Sequence, residues 1–454
     1  MTPQTYLDFA AVQIFWIAVS VFWVLRRKDE LPLITSVLLF YIFSFRLWAM
    51  LQGIVVATNI SNFGFDNPTV GSMLEVDGLA VLGETVFLLA YFFAQTKKLI
   101  TPKAELPPEA MRSIRLRVLL LAGVCLPLAV LARASVAAQA AAGKSLAFEI
   151  TSYLSLFPLA LVGLAILIGA LWRIGAFNNF FNWTAACVFL LGIAYVTFQP
   201  ALRFQFLGWV VAVTVIVASG QSIGRKAGFL MFGFAAAVAA FAVAGALRNE
   251  EDPDAELERS AWERFVFAQD ANMLDGFALL RQVYPNLLNY TYGGEHLEIL
   301  ERPIPRAWWP GKPVGGYMNK LGIIDADTGF TLGISPSLFG SFYQEGAVYG
   351  LILLSAIYGY AFGRIVKFST KVEPFAGLVI RGCVCAGLIP LLRGGDLPGI
   401  YAWFGMSFWP VALIFWLHRR QLFVRRRQML PAPASSAPRV RVETNPTPLF
   451  VGQR

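Results

Sequence analysis

YLDFAAVQIFWIAVSVFWVLRRK, Tyr6–Lys28, decides the class of this chain. After Asp8 no charge appears until Arg26. An apolar run of about twenty residues is what an α-helix needs to cross a hydrocarbon core of about 30 Å. The run is continuous and does not alternate apolar with polar residues, so it is no strand of a membrane barrel. It lacks a basic segment before it and a small-residue cleavage site after it. It therefore predicts a retained span and not a cleaved signal peptide. The cluster Arg26-Arg27-Lys28 at its end sets an orientation.

The same pattern recurs along the chain. Of 454 residues, 57% are hydrophobic and only 14% charged, and the mean hydropathy is +0.60. This balance excludes a soluble enzyme and predicts an all-α polytopic membrane protein. The apolar runs number about eleven: Tyr6–Leu25, Leu31–Val56, Val76–Ala94, Arg117–Ala138, Phe148–Trp172, Trp183–Phe198, Leu202–Ser219, Ala227–Leu247, Phe342–Val366, Phe375–Leu392 and Ile400–Leu417. Basic residues (Lys97, Lys98, Arg112, Arg173, Arg225, Lys226, Arg364, Lys367, Arg419 and Arg420 among them) fall on one side, while the connections Ala57–Glu75 and Gln139–Ala147 carry almost none. The positive-inside rule then puts the N-terminus outside and the C-terminus in the cytoplasm. The net charge of +9 follows from this distribution and needs no acidic or nucleic-acid partner. Residues 1–247 hold the first eight spans, 248–335 one large outward loop, and 336–417 the last three spans. Residues 418–454 form a tail that is basic and then Pro/Ala/Ser-rich, expected to be disordered.

Cys125, Cys187, Cys383 and Cys385 all lie in apolar runs and read as small buried hydrophobes, not as a disulfide or metal set. No metal site or cofactor motif is evident in the sequence.

The large loop has its own organisation. Asn249–Arg259 is an acidic, solvated run. Ser260–Tyr284 has helical periodicity and predicts an amphipathic helix lying over the bundle or the membrane. Tyr290–Gly294 (YTYGG) reads as a turn, and further turns follow at Gly315-Gly316 and Asp325–Gly329. Between them Glu301–Lys312, ERPIPRAWWPGK, sets Arg302, Arg306 and Lys312 among prolines and two tryptophans. Proline fixes φ and removes donors, so the run is stiff. Two readings stand side by side. One is a grip on an anionic or sugar-bearing ligand; the other is an interfacial anchor with Trp308 and Trp309 at headgroup depth.

Charges inside spans need a partner or a ligand, because hydrocarbon disfavours a lone charge by at least about 2.5 kcal/mol. Arg46, Glu84, Arg133, Arg203, Arg381 and Arg393 are the cases singled out. Arg46 and Glu84, at mid-depth on neighbouring spans, predict a structural ion pair. Arg203 follows the tight turn Gln199-Pro200-Ala201, and Arg393 begins the outer-end sequence RGGDL with Asp396.

An arginine after a tight outer hairpin, a large outer loop with PIPRAWWPGKP, then Ser335-Pro336, GSFYQEGAVYG (Gly340–Gly350) and RGGDL together resemble the Wzy-type oligosaccharide repeat-unit polymerases of O-antigen and exopolysaccharide synthesis. The likeness runs from about Phe198 to Leu397. The same set is similar to a wider class of polytopic glycosyltransferases that includes the O-antigen ligases. The resemblance implies a bacterial inner-membrane enzyme whose large loop is periplasmic. It would transfer a growing glycan from undecaprenyl pyrophosphate to a second lipid-linked repeat unit, without metal. Implied partners are the lipid-linked oligosaccharides, membrane lipids, and a chain-length regulator and flippase of the same pathway. Arg203, Arg393 and Arg306 would neutralise the leaving pyrophosphate. Arg302, Lys312, Tyr343, Trp308 and His296 would bind substrate. Glu345 or Asp396 would deprotonate the acceptor hydroxyl. Where family members often carry Glu shortly before the loop-end tyrosine, this chain has Gly340-Ser341 ahead of Tyr343. A ligase-type transferase and a lipid-linked oligosaccharide transporter are the alternatives.

Overall fold

The computed structural model describes residues 3–58, 60–61, 64–99, 106–141, 156–198, 203–250, 272–304, 308–309, 311–312, 316–321 and 334–423. These residues form an all-α polytopic membrane protein. In chain order the helices are α1 (Pro3–Arg27), α2 (Leu31–Leu51), α3 (Val70–Ala94), α4 (Pro108–Ala141), α5 (Leu156–Arg173), α6 (Phe180–Thr197), α7 (Arg203–Ala218) and α8 (Ile223–Glu250). The loop contributes α9 (Met273–Val283), α10 (Gly294–Glu301) and the single turn α11 (Tyr317–Lys320). After it come α12 (Ser337–Ser369), α13 (Pro374–Arg393), α14 (Leu397–Leu417) and the short α15 (Arg419–Leu422).

Each of the eleven predicted runs overlaps a helix among the described residues; residues 148–155 of the fifth run lie outside them. Among the described residues nine helices have the length and apolarity to cross a membrane: α1 to α6 and α12 to α14. In α7 the apolar part, Phe206–Ala218, is shorter, and α8 is not among the nine.

Two helices form the centre. α5 is buried from Ala160 to Leu171 and α13 along nearly its whole length, because both are apolar all round and can be covered on every side. α13 packs on α7, α12 and α5, and α3 packs on α12. The lipid-facing helices α1, α4 and α6 expose large apolar side chains such as Phe22, Leu131 and Leu191, as hydrocarbon solvent requires.

The basic residues gather at one end of the bundle. There Leu99 N donates to Arg27 O at 2.8 Å, Lys226 pairs with Glu30, and Arg117 meets His418 at 3.3 Å. The large loop closes the opposite end. The four cysteines are free, with Cys125 and Cys385 buried.

One expectation is corrected and another is narrowed. Arg46 and Glu84 do not pair with each other. Arg46 Nη2 binds Asp275 Oδ2 of α9 at 2.8 Å, while Glu84 Oε2 accepts from Gln13 Nε2 of α1 at 3.0 Å. The partner came from the loop, where an acid sits inside the apolar stretch Met273–Leu280. The predicted amphipathic helix lies over the bundle and not over the membrane, and it sits deeper than a surface helix. Its described part, α9, is buried from Met273 to Leu280 and wedges between α3, α12 and the middle of α2. Residues 260–271, like the acidic stretch after Glu250, the turn at Asp325–Gly329 and the tail beyond residue 423, lie outside the described residues.

Candidate functional site

The site is built on a broken helix. α12 leaves helical geometry at Gly346 and Ala347, where Ala347 has φ 54 and ψ −142. Phe342 and Tyr358 would stand about 24 Å apart along an unbroken helix, yet their ring centroids lie 4.8 Å apart. The two halves therefore fold toward each other, and the span predicted as Phe342–Val366 is not one straight rod. A break leaves carbonyls without helical donors. The YTYGG turn supplies two: Thr291 N donates to Gln344 O at 3.1 Å and Tyr292 N to Glu345 O at 3.0 Å.

That docking delivers α10 to the bundle. Gly293 caps α10 in the left-handed region, with φ 92, and its N–H donates to Glu345 Oε2. One turn on, His296 Nδ1 lies 3.0 Å from Glu345 Oε1, and its Nε2 lies 3.0 Å from Tyr358 Oη. Tyr401 of α14 donates to Tyr358 Oη at 2.9 Å. A carboxylate only accepts, so it fixes the proton on Nδ1 and leaves the Nε2 lone pair facing the Tyr358 hydroxyl. The result is a continuous chain from Glu345 through His296 and Tyr358 to Tyr401. Glu345 is buried, and the His296 side chain is 28% exposed, so the imidazole can be reached from the loop side.

The other motifs converge on the same end. Arg302, just after α10, pairs with Asp396 at 3.5 Å, and Asp396 also caps α14 by accepting from Gly399 N at 3.2 Å. Ser335 Oγ donates to Arg393 O at 2.6 Å. Gly395 packs so closely on Pro336 that a Cβ would stand 2.0 Å from the proline ring. Lys312 is buried and donates to Arg302 O at 2.6 Å and Ile304 O at 2.8 Å. It thus holds the chain around Arg302 in place.

Tyr343 is buried in an aromatic cluster, with ring centroids 5.6 Å from Phe277 and 6.1 Å from Tyr290. Burial, then the hydrogen bond to Tyr343, pushes the Tyr290 hydroxyl up to about 12, so it remains a donor at neutral pH. Glu295 is fully buried, 3.5 Å from Lys320. Burial raises its pKa to about 7, only partly offset by Lys320 and by Gln344.

Of the ten candidates drawn from the sequence, seven meet at this end: Glu345, His296, Tyr343, Arg302, Lys312, Arg393 and Asp396. Trp308 stands apart at 82% exposure, with Trp309 at 37%, as an interfacial anchor would. Arg306 and the side chain of Arg203 lie outside the described residues. His296, which sequence context alone would leave at the surface, is instead at the centre. Tyr358 and Tyr401 escaped the sequence reading altogether. A tyrosine in an apolar run carries no signal until its hydroxyl partner is known. Among the described residues no three His, Cys, Asp or Glu side chains group as metal ligands would.

No family model matches the chain, and no curated protein or solved structure matches it either.

Proposed function

We propose that this chain is a polyprenyl-pyrophosphate-dependent glycosyltransferase of the bacterial inner membrane. It polymerises undecaprenyl-pyrophosphate-linked repeat units at the periplasmic face, with the loop-bearing end of the bundle outward. The observation that carries the reading is the Glu345–His296–Tyr358 chain beside the Arg302–Asp396 pair. A base on α10 braced by α12, and a cation just after α10 paired with the cap of α14, are what glycosyl transfer to a hydroxyl with an anionic leaving group requires.

In this reading the acceptor sugar hydroxyl gives its proton to His296 Nε2, directly or through Tyr358. Glu345 stabilises the imidazolium that forms. The acceptor oxygen bonds to the anomeric carbon as the bond to pyrophosphate breaks. Arg302 and Arg393, with Arg203 and Arg306, carry the developing phosphate charge. Guanidinium forks fit phosphate oxygens in pairs and need no metal. The half-buried Tyr290 ring, backed by the buried Tyr343, offers an apolar face for sugar stacking.

The engagement of His296 also favours a second reading, a ligase-type transferase, since an imidazole base suits any acceptor hydroxyl. One experiment separates the two. The gene is deleted in its host and complemented with wild type, His296→Ala or Glu345→Gln, and surface polysaccharide is resolved on gels. A polymerase predicts single-repeat glycan in the deletion and in both variants, at normal protein level. Long chains retained on the lipid carrier assign a ligase. Full-length surface polymer with His296→Ala refutes the base assignment.

A further inference from the structure

A second polar system lies between α1, α2 and α3. Asp77, Glu84 and Tyr91 follow one another at seven-residue intervals along α3. That spacing puts them on one face over a rise of about 21 Å. All three are buried.

Each meets a polar side chain from the neighbouring helices. Ser44, on the π-turn Tyr41–Phe45 within α2, donates to both oxygens of Asp77 at 3.0 and 3.1 Å. Such widened turns recur where a helix must present a side chain for function. Gln13 of α1 donates to Glu84, Ser36 of α2 stands on the side facing Glu84, and Ser36 lies 3.4 Å from Ser20 of α1. Tyr91 Oη donates to Asp29 Oδ2 at 2.7 Å. Asp29 sits in the α1–α2 connection at the basic end, where burial raises its pKa to about 6, with Glu30 adding to the rise and Tyr91 and Trp23 opposing it. At the opposite end Tyr6 of α1 lies within electrostatic reach of Asp77. A line of acids and hydroxyls thus runs along the three helices from one side to the other.

Glu84 and Gln13 show what the line holds. Both side chains are fully buried, and Glu84 Oε1 and Gln13 Oε1 each lack a donor. Two buried acceptor oxygens on hydrogen-bonded neighbours are disfavoured unless something supplies a hydrogen. A proton on Glu84 turns its unmet Oε1 from an anionic acceptor into a hydroxyl and removes a buried charge. On Glu84's own helix the titratable groups of the same face are Asp77 and Tyr91. From the other packed elements, Gln13 and Trp16 face it on α1 and Ser36 on α2, and none of these carries a charge. Arg46, later in α2, is tied to Asp275 of α9. Near this level of α3, the α12 side chains Phe339 and Leu351 pack on Gly83.

We propose that Glu84 is a proton-binding site and that Asp77, Glu84 and Asp29 form a proton pathway across the α1–α2–α3 layer. A carboxylate takes a proton from one neighbour and yields it to the next. The membrane potential or pH difference drives the movement, and no other reactant is consumed. The pathway is independent of the loop-end site and does not rest on its assignment.

The test uses the purified full-length chain in phosphatidylcholine vesicles loaded with a pH-sensitive dye. A potassium diffusion potential set with valinomycin drives the flux. Wild type should acidify the lumen faster than protein-free vesicles. Glu84→Gln and Asp77→Asn should lose that flux, while Arg302→Ala should keep it. Infrared spectra of the same preparations guard against a misfolded variant. Wild type should show a protonated-carboxyl stretch at neutral pH that shifts in heavy water, and Glu84→Gln should lose the component that Glu84 contributes while keeping that of Glu295. Wild-type flux no faster than empty vesicles, undiminished flux in Glu84→Gln, or a stretch that Glu84→Gln leaves undiminished would each overturn the proposal. So would flux that requires sodium, which would assign the site to a metal cation.

Discussion

Asp275→Ala should be among the most destabilising single substitutions in this protein, because the carboxylate joins a loop helix to a span. Its Oδ2 accepts from Arg46 Nη2 at 2.8 Å, from Thr58 Oγ1 at 2.8 Å and from Thr58 N at 3.3 Å. Arg46 is 6% exposed and Asp275 2%. Removing the acid leaves a buried guanidinium uncompensated, which costs about 3–5 kcal/mol, and the lost Thr58 bonds add about 1 kcal/mol. Arg46→Met leaves Asp275 its two Thr58 donors, so its cost should be smaller. The double variant Arg46→Met, Asp275→Leu removes both charges and should recover most of the loss, since apolar replacement of a buried pair is often neutral. The assay is the temperature at which detergent-purified protein loses its monodisperse gel-filtration peak, compared at one heating rate because an irreversible transition depends on scan rate. α9 also carries Phe277 against Tyr343, so Asp275→Ala should loosen the loop end first, read as faster proteolysis there. If Asp275→Ala melts with wild type, or the double variant melts no higher than Asp275→Ala, the ion pair does not hold the helix and the reasoning fails.

Glu295 makes stability depend on pH in an uncommon direction. Its folded pKa of about 7 lies above the ordinary 4.5, so the folded state holds the proton more tightly, and stability should fall as pH rises from about 4.5 to 7 by about 3 kcal/mol. Melting curves across that window should flatten in Glu295→Gln; an unchanged slope in the variant counts against a buried, proton-holding Glu295. Gly359→Ala should weaken α12 against α3, because the added Cβ would stand 2.1 Å from the Phe87 carbonyl oxygen. Overpacking of this kind costs about 1–3 kcal/mol, and a variant that melts with wild type would show that the helices can part freely. Ala347→Gly should raise the melting temperature slightly, by relieving a backbone conformation that disfavours a side chain by about 1–3 kcal/mol; a lower melting temperature would mean that the break is not strained.

Helical content and membrane class were legible in the chain because bilayer thickness imposes a length and a continuous apolar composition on each span, and both are local properties. Basic residues gathered at one end could be read in the same way, by counting charges between runs. The list of loop-end candidates also came from local cues, since Pro, Gly, Arg and Trp stand out against an apolar background. Which polar groups meet was a different matter. Arg46 lies 229 positions from Asp275, and periodicity places each on a face without saying which helix will cover it. His296 became central only because α12 breaks at Gly346-Ala347 and the exposed carbonyls of Gln344 and Glu345 draw the YTYGG turn onto the bundle. Tyr358, Tyr401 and the Asp77–Glu84–Tyr91 stripe likewise gained meaning only with partners from other helices. Hydrophobic burial depends on composition and can be read along one segment. A hydrogen bond or ion pair depends on direction and on a second group, and chain folding alone decides where that group stands.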